Sequence, residues 1–437
     1  VKKLNGQNVP AHMTDRMEKA LEFAMYIHKP DGDMPHLGDI DDARSIYFGD
    51  PTHWNFDAWR AMGAVWFKRS DMKFGLPRLP EEAFWLLPEG DIREYRALRE
   101  ATPQNTGVWL KESGYAIFRN HYNEDGHYIH MDCGPIAHGV YYDDTPSAAH
   151  GHADELALEL ACFGESHLVD PGFSNYRGDF SWHSYFRSTA AHNTIEINNS
   201  SQARQGGILV WSRAPRYKQL AFMNGKRLKV FCGEHYGYHR QPGAPVHRRY
   251  MAFIDDSFWL VWDHIYPGEG TGQTITIADH YHFNSGLKVE TGREGRIESS
   301  GEKSRLIIAL ADGFEEPFDI SLKEGDDGPD GGWISPTYRA VRPAPLVCVK
   351  REIRPPYNLL KVMLPEEKDS GREARVEKAG TGFDIRMGDA FYRVRLSAEP
   401  GFRVTVEGED QTFELNSASG EELIRETRTA APVTETE

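Results

Sequence analysis

Residues 150–202, HGHADELALELACFGESHLVDPGFSNYRGDFSWHSYFRSTAAHNTIEINNSSQ, concentrate the groups able to do chemistry. An HxHxD cluster (His150, His152, Asp154) precedes an apolar hairpin that ends in Asp170-Pro171-Gly172, and Ala191-His192-Asn193-Thr194 then opens another strand. Neutral imidazoles plus a carboxylate are the donor types of a tetrahedral zinc shell, and His152, Asp170 and His192 are the ligands this pattern suggests. The same residue types also build acid–base sites. Taken singly, each has an ordinary role: a His at a strand start serves as a hydrogen-bonding residue, and an Asp before Pro-Gly is a common turn residue.

These groups meet only if the chain positions them. Phe163-Gly164-Glu165-Ser166 reads as a tight turn centred on Gly164 and Glu165, between apolar strands at 156–163 and 167–170. That register sets Asp170 opposite Glu159, not His152, and seven residues of straight strand would hold Asp170 and His152 apart by ~23 Å. A shared site therefore requires a sharp bend between His152 and Leu156, making HGHADE a loop folded over the sheet, and Gly151 permits it. The metallo-β-lactamase motif HxHxDH fits poorly, since Glu155 stands where it needs His and the preceding YYDDTPSAA is no apolar strand. A cupin shell lacks its acid at the required spacing.

Composition bounds the partners. The 437 residues are 39% hydrophobic and 12% aromatic, which marks a globular chain of two or three domains with no run able to span a membrane. A net charge of −16 excludes the basic footprint of general nucleic-acid binding. Residues 171–250 nevertheless hold twelve Lys/Arg against three acids, a local field suited to an anionic ligand or merely to solvated strand faces. Cys133, Cys162, Cys232 and Cys348 show no CxxC spacing, and Cys162 and Cys348 read as core.

Helical periodicity covers 14–28, with Met17, Ala20, Leu21, Ala24 and Ile27 on one face. It recurs near 56–69, with Trp59, Met62, Val65 and Trp66 inward, and again at 81–87. From Tyr115 the period changes to two, in YAIFR, HYIHMD, NTIEIN, FWLVWD, RLIIALAD and others, as expected for a large antiparallel β-sandwich. A smaller C-terminal sheet follows Ala340, and the polar residues after Glu421 read as a tail.

PDGDMPHLGDIDDAR, HGHADELALEL, HLVDPG, RSTAAHNTIEINNSSQ and HRRYMAFIDDSFWLVWDHI occur in this order. In this the chain resembles the heparinase II/III-like polysaccharide lyases, which cleave uronate glycans. The resemblance implies an α+β multidomain chain: the helical end of an (α/α) toroid at 1–100, a β-sandwich at 105–340, a C-terminal sheet at 341–420 and a flexible tail at 421–437. It implies β-elimination on an anionic polysaccharide, in a periplasmic or secreted protein. His150 matches the sandwich-borne catalytic or substrate-binding histidine, with Tyr185 as its companion. Arg177, Arg187 and His239 would contact substrate, and His152, Asp170 and His192 would hold one structural zinc. The family's toroid donors precede the PDG segment, so the sequence reads as truncated, and weak turnover is expected of it. A metal-dependent hydrolase or cupin-like enzyme using the His cluster, and a non-catalytic carbohydrate-binding sandwich, are the alternative readings.

Overall fold

A computed structural model describes residues 9–40, 56–136, 147–148, 150–370 (Thr271, Arg293 and Glu315 excepted), 374–398, 403–408, 411–417 and 423–428. The end of the PDGDMPHLGDIDDAR segment, from Asp41, and residues 421–422 and 429–437 of the expected tail lie outside the described residues.

Among the described residues, four α-helices come first: α1 (Ala11–Ile27), α2 (Asp57–Trp66), α3 (Glu81–Leu86) and α4 (Glu89–Ala97). The fourth was not expected; its apolar signal is only Ile92 and Tyr95, which it buries. Met17 and Trp59, expected inward, are exposed, so the buried stripe of α1 is Leu21, Ala24, Met25 and Ile27. The end of α1 is fixed by the sheet beneath it. Ile27 and Met34 pack on Ile117, Tyr128 and Ala161. The last carbonyls of a helix have no partner within it; here Arg119 donates to the carbonyls of Tyr26 and His28, and the Tyr128 hydroxyl donates to that of Ile27 at 3.0 Å. The chain leaves α1 across this sheet, tied by the buried Lys29–Glu159 pair at 3.4 Å.

After Gly107 the fold is antiparallel sheet in three layers. A five-stranded meander (107–110, 115–119, 128–132, 158–162, 165–168) and a four-stranded sheet (319–323, 346–353, 275–282, 195–197) meet at the Leu168–Phe283 bridge and form one layer. An eight-stranded sheet is the middle layer, and the core between the two layers is built from Phe118, Leu160, Phe231, Met251, Trp259 and their neighbours. A six-stranded sheet from Ala374 to Arg428 covers the other face of the middle layer through Val230, Tyr250, Trp262, Phe383, Ile385 and Phe413. Strands Leu228–His235 and Pro245–Ile254 are therefore buried along their whole length.

This corrects two boundaries. Leu346–Ile353 and Tyr357–Glu367 belong to the sandwich, the latter lying between Phe258–Pro267 and Ser304–Ala311, so the third layer starts near Ala374 and not at 341. Ile424–Arg428, expected in the tail, pairs with Gln411–Asn416. Among the described residues a short α-helix, α5 (Phe180–Phe186), and a 3₁₀ turn at Thr189–Ala191 interrupt the strand region.

The turn of the Leu158–Leu168 hairpin is Phe163-Gly164, both at positive φ (50° and 69°), with Cys162 facing Glu165. A two-residue turn of this twist suits a hairpin, and Gly at its second position relieves the strain. The expected register was therefore displaced, and a bulge between Leu160 and Ala161 shifts it again. The hairpin is clamped to the strand pair beyond it. Glu165 accepts from the backbone of Glu302 and Ser304, and His167 sits between the hydroxyls of Ser299 (2.6 Å) and Ser304 (2.8 Å). Burial holds the His167 imidazole down at about 4. The unfolded chain, near 6.5, binds that proton more readily, so His167 contributes stability that is complete above pH 6.5 and drains as pH falls towards 4. We expect His167→Gln to lose that share of the acid sensitivity, with urea unfolding curves converging by about 1.4 kcal/mol per pH unit across this window. Parallel pH dependence in the two proteins would refute it.

Candidate functional site

HGHADE is a loop held at nearly every residue. The His150 carbonyl accepts from Asp39 N, the Gly151 carbonyl from Trp211 Nε1, and the Ala153 carbonyl from Thr189 Oγ1, while Ala153 N donates to the Arg187 carbonyl. Gln202 brackets Glu155, accepting from its N at 2.8 Å and donating to its carbonyl at 3.0 Å, where Thr194 Oγ1 also donates. Leu156, at φ 61°, makes the bend that sequence spacing required. Gly151 is needed for space, because a Cβ there would stand 1.7 Å from the Ile136 carbonyl oxygen. The polar residues of RSTAAHNTIEINNSSQ are thus the loop's hydrogen-bonding frame. Asn193 adds a cross-brace, donating to the Leu158 and Val169 carbonyls and accepting from His282 N.

Below this frame lies Arg249, fully buried on the middle sheet. Its Nη1 donates to the carbonyls of Leu156 (2.7 Å) and Asn193 (2.9 Å), one beside each His-bearing segment, and its Nε donates to Asp263 at 2.6 Å. Burial alone would raise the Asp263 carboxyl, but Arg249, Lys361 and His247 hold it well below its usual range.

The frame brings His152, Asp154, Asp170 and His192 together, with one donor atom from each lying within 4.8 Å of the others. Three of these were expected; Asp154 was missed as a ligand, although it is the acid of HxHxD. His152 Nε2 donates to Asp39 Oδ1 at 2.9 Å, and His192 Nδ1 to Asp170 Oδ2 at 2.8 Å. Both rings are wholly buried, yet His152 Nδ1 and His192 Nε2 have no hydrogen-bond partner. Buried polar atoms normally have one. The surroundings also carry too much latent negative charge: burial and the neighbouring acids push Asp132 and Glu155 well up, and Glu159 stands at about 7 despite Lys29. Orphaned ring nitrogens pointing into a buried acidic cluster fit a bound cation, with Asp39 fixing the tautomer of one ligand from behind.

His150, two residues away, faces out. Its side chain is 62% exposed, and Nδ1 lies 3.1 Å from the Tyr176 hydroxyl and 3.3 Å from Asp39 Oδ2. Tyr176 was missed by sequence reasoning; it stands six residues past Asp170, packed against Phe173 and Tyr338. Tyr185, expected as the companion of His150, sits instead on α5 with its hydroxyl on the Ala190 carbonyl at 3.4 Å, lining a separate cavity with Glu196 and His280.

The expected substrate contacts divide as sharply. Arg177 is exposed. Arg187 is fully buried, donates to the Gly207 and Ile208 carbonyls and stacks on Trp211 at 4.5 Å, so it braces the loop and cannot meet a ligand. His239 lines another cavity with Arg213, Arg216 and Arg240. The basic window is largely consumed by the fold: Arg227 pairs with Asp255, Lys229 with Asp256 and Arg248 with Glu234, while Arg240 donates to backbone carbonyls. Replacing Arg249 by Met would leave two carbonyls orphaned and part of a buried charge uncompensated. We expect a loss of about 3–5 kcal/mol in urea unfolding; a loss under about 1 kcal/mol would show that the frame does not depend on it.

A sequence model of the family described as Heparinase II/III-like, C-terminal, matches residues 102–356. No curated protein sequence matches the chain. Among solved structures, heparan sulfate lyase HepC from Pedobacter heparinus superposes with a TM-score of 0.63 at 16% identity, over 87% of this chain and 52% of that one. Heparinase III superposes with 0.62 at 16% identity, over 93% and 55%. The chain spans about half the length of these structures, and at that identity the likeness establishes the fold. By the family match, the chain belongs to the heparinase II/III-like family, with residues 102–356 as its C-terminal domain.

Proposed function

We propose that this chain carries the sandwich side of a polysaccharide lyase site acting on uronate glycans. The supporting observation is the His150–Tyr176 contact at 3.1 Å, exposed directly above the buried His/Asp cluster. In β-elimination the C5 proton, α to the uronate carboxylate, is removed, and the C4 glycosidic oxygen leaves. Two adjacent groups, one accepting and one donating a proton, are what that step needs. The Tyr176 hydroxyl lies 3.1 Å and Asp39 Oδ2 3.3 Å from Nδ1 of His150, and with Nδ1–H turned to these oxygens Nε2 would accept the C5 proton while the phenol gives its proton to the departing C4 oxygen. HepC is a lyase of heparan sulfate, and an anionic glycan of that class is the substrate we infer.

His152, Asp170 and His192, with Asp154 beside them, would hold one zinc ion. Bound there, the ion supplies positive charge that staples the loop and neutralises the buried acids. A hydrolytic zinc keeps a position open to substrate, whereas His152 and His192 are both fully buried, which disfavours the hydrolase reading. Localisation in the periplasm or outside the cell, and the toroid origin of α1–α4, are part of the same proposal.

The test is absorbance of the 4,5-unsaturated product from heparan sulfate and alginate oligosaccharides with the full gene product. His150→Ala and Tyr176→Phe are each expected to lower kcat by ~10²- to 10⁴-fold, whereas Tyr185→Phe leaves it within about threefold. Equal loss from Tyr185→Phe and none from Tyr176→Phe would overturn the assignment.

A further inference from the structure

Cys348 lies outside this site. It was expected to be plain core, and Cys133, Cys162 and Cys232 are: all three are fully buried, and burial pushes their thiols up, those of Cys162 and Cys232 to about 12. Cys348 occupies the outward face of the four-stranded sheet. In the antiparallel ladder it is directly opposite His280, which places the two side chains on one face with Cβ atoms roughly 5 Å apart. Glu196 on the next strand pairs with Ala278, the same-face neighbour of His280, and its Oε2 stands 3.9 Å from His280 Nε2. His280 is 7% exposed, and neither ring nitrogen has a hydrogen-bond partner. All three residues line a cavity of about 200 Å³ that also takes in Tyr185, Lys323 and Lys350.

A thiol beside an imidazole, with a carboxylate on the imidazole's far side, is the arrangement that makes a cysteine nucleophilic. We propose that Cys348 is a reactive thiol site, with His280 beside it to take the thiol proton and Glu196 orienting the imidazole, that is modified by small hydroperoxides entering this cavity. The thiolate sulfur attacks the terminal peroxide oxygen and the O–O bond breaks. Sulfur is oxidised by two electrons to the sulfenic acid, and the departing alkoxide or hydroxide takes the proton from the His280 imidazolium to leave as alcohol or water. The electrostatics agree: burial alone would lower His280, but Cys348 and Glu196 outweigh it and hold the ring up at about 9.

Native protein is pulsed with iodoacetamide at pH 6 and 7, and the four cysteine peptides are quantified by mass spectrometry. A second arm uses hydrogen peroxide followed by dimedone. Cys348 should label at least about tenfold faster than the other three, and His280→Gln should slow it by a similar factor and abolish dimedone capture. If His280→Gln unfolds, all four cysteines label together, and Glu196→Gln, expected to slow Cys348 severalfold with an unchanged melting temperature, gives the comparison. Labelling of Cys348 no faster than that of Cys133, Cys162 and Cys232 would overturn the proposal, as would an unchanged Cys348 rate in the folded variant.

Discussion

Arg249 gives its guanidinium to Asp263 and to two backbone carbonyls, those of Leu156 and Asn193, which belong to segments 37 residues apart in sequence. Both segments are irregular backbone under a packed sheet, where unpaired carbonyls would be costly. A buried cation answers that cost only if its own charge is balanced, and here two carboxylates, Asp263 and Asp279, balance Arg249 together with Lys361. The order of dependence runs from this ion network in the middle sheet, to the loop and the His192 turn, to the convergence of the His/Asp cluster. A buried ion network is weak grounds for stability in itself, and strong grounds for expecting damage when one partner is removed.

The loop so held sorts its two histidines. His152 is fully buried, while the side chain of His150 is 62% exposed, and Asp39 touches both, through Oδ1 and Oδ2 respectively. One carboxylate from the segment after α1 thereby couples the helical part to the buried cluster and to the exposed pair with Tyr176. Arg187, from the far side, stands 3.8 Å from the same carboxylate and closes the arrangement without reaching solvent.

How far this was legible in sequence depends on what each feature rests on. The order of helices before strands, and the convergence of His152, Asp170 and His192, follow from periodicity and from ligand chemistry. Asp39 and Tyr176 could not be found that way. Asp39 acts across more than a hundred residues, and Tyr176 looks like any loop tyrosine until its hydroxyl is placed. Arg187 and Arg249 read as surface cations because sequence carries no mark of burial. The hairpin register was missed because Phe163 takes positive φ, which a non-glycine residue rarely does. The boundary near 340 failed for a different reason: strands covered on both faces lose the alternation that separates one layer from the next.

On the proposed function, two histidines separated by one glycine serve different ends, His152 a buried cation and His150 an exposed proton-transfer pair. Elemental analysis of protein purified without chelator tests this division directly, with wild type beside His150→Ala and His152→Ala. About one zinc per chain in wild type and His150→Ala, with none in His152→Ala and a lower melting temperature there, is the predicted result. A metal-free wild type whose stability His152→Ala leaves unchanged, or loss of metal in His150→Ala, would contradict it.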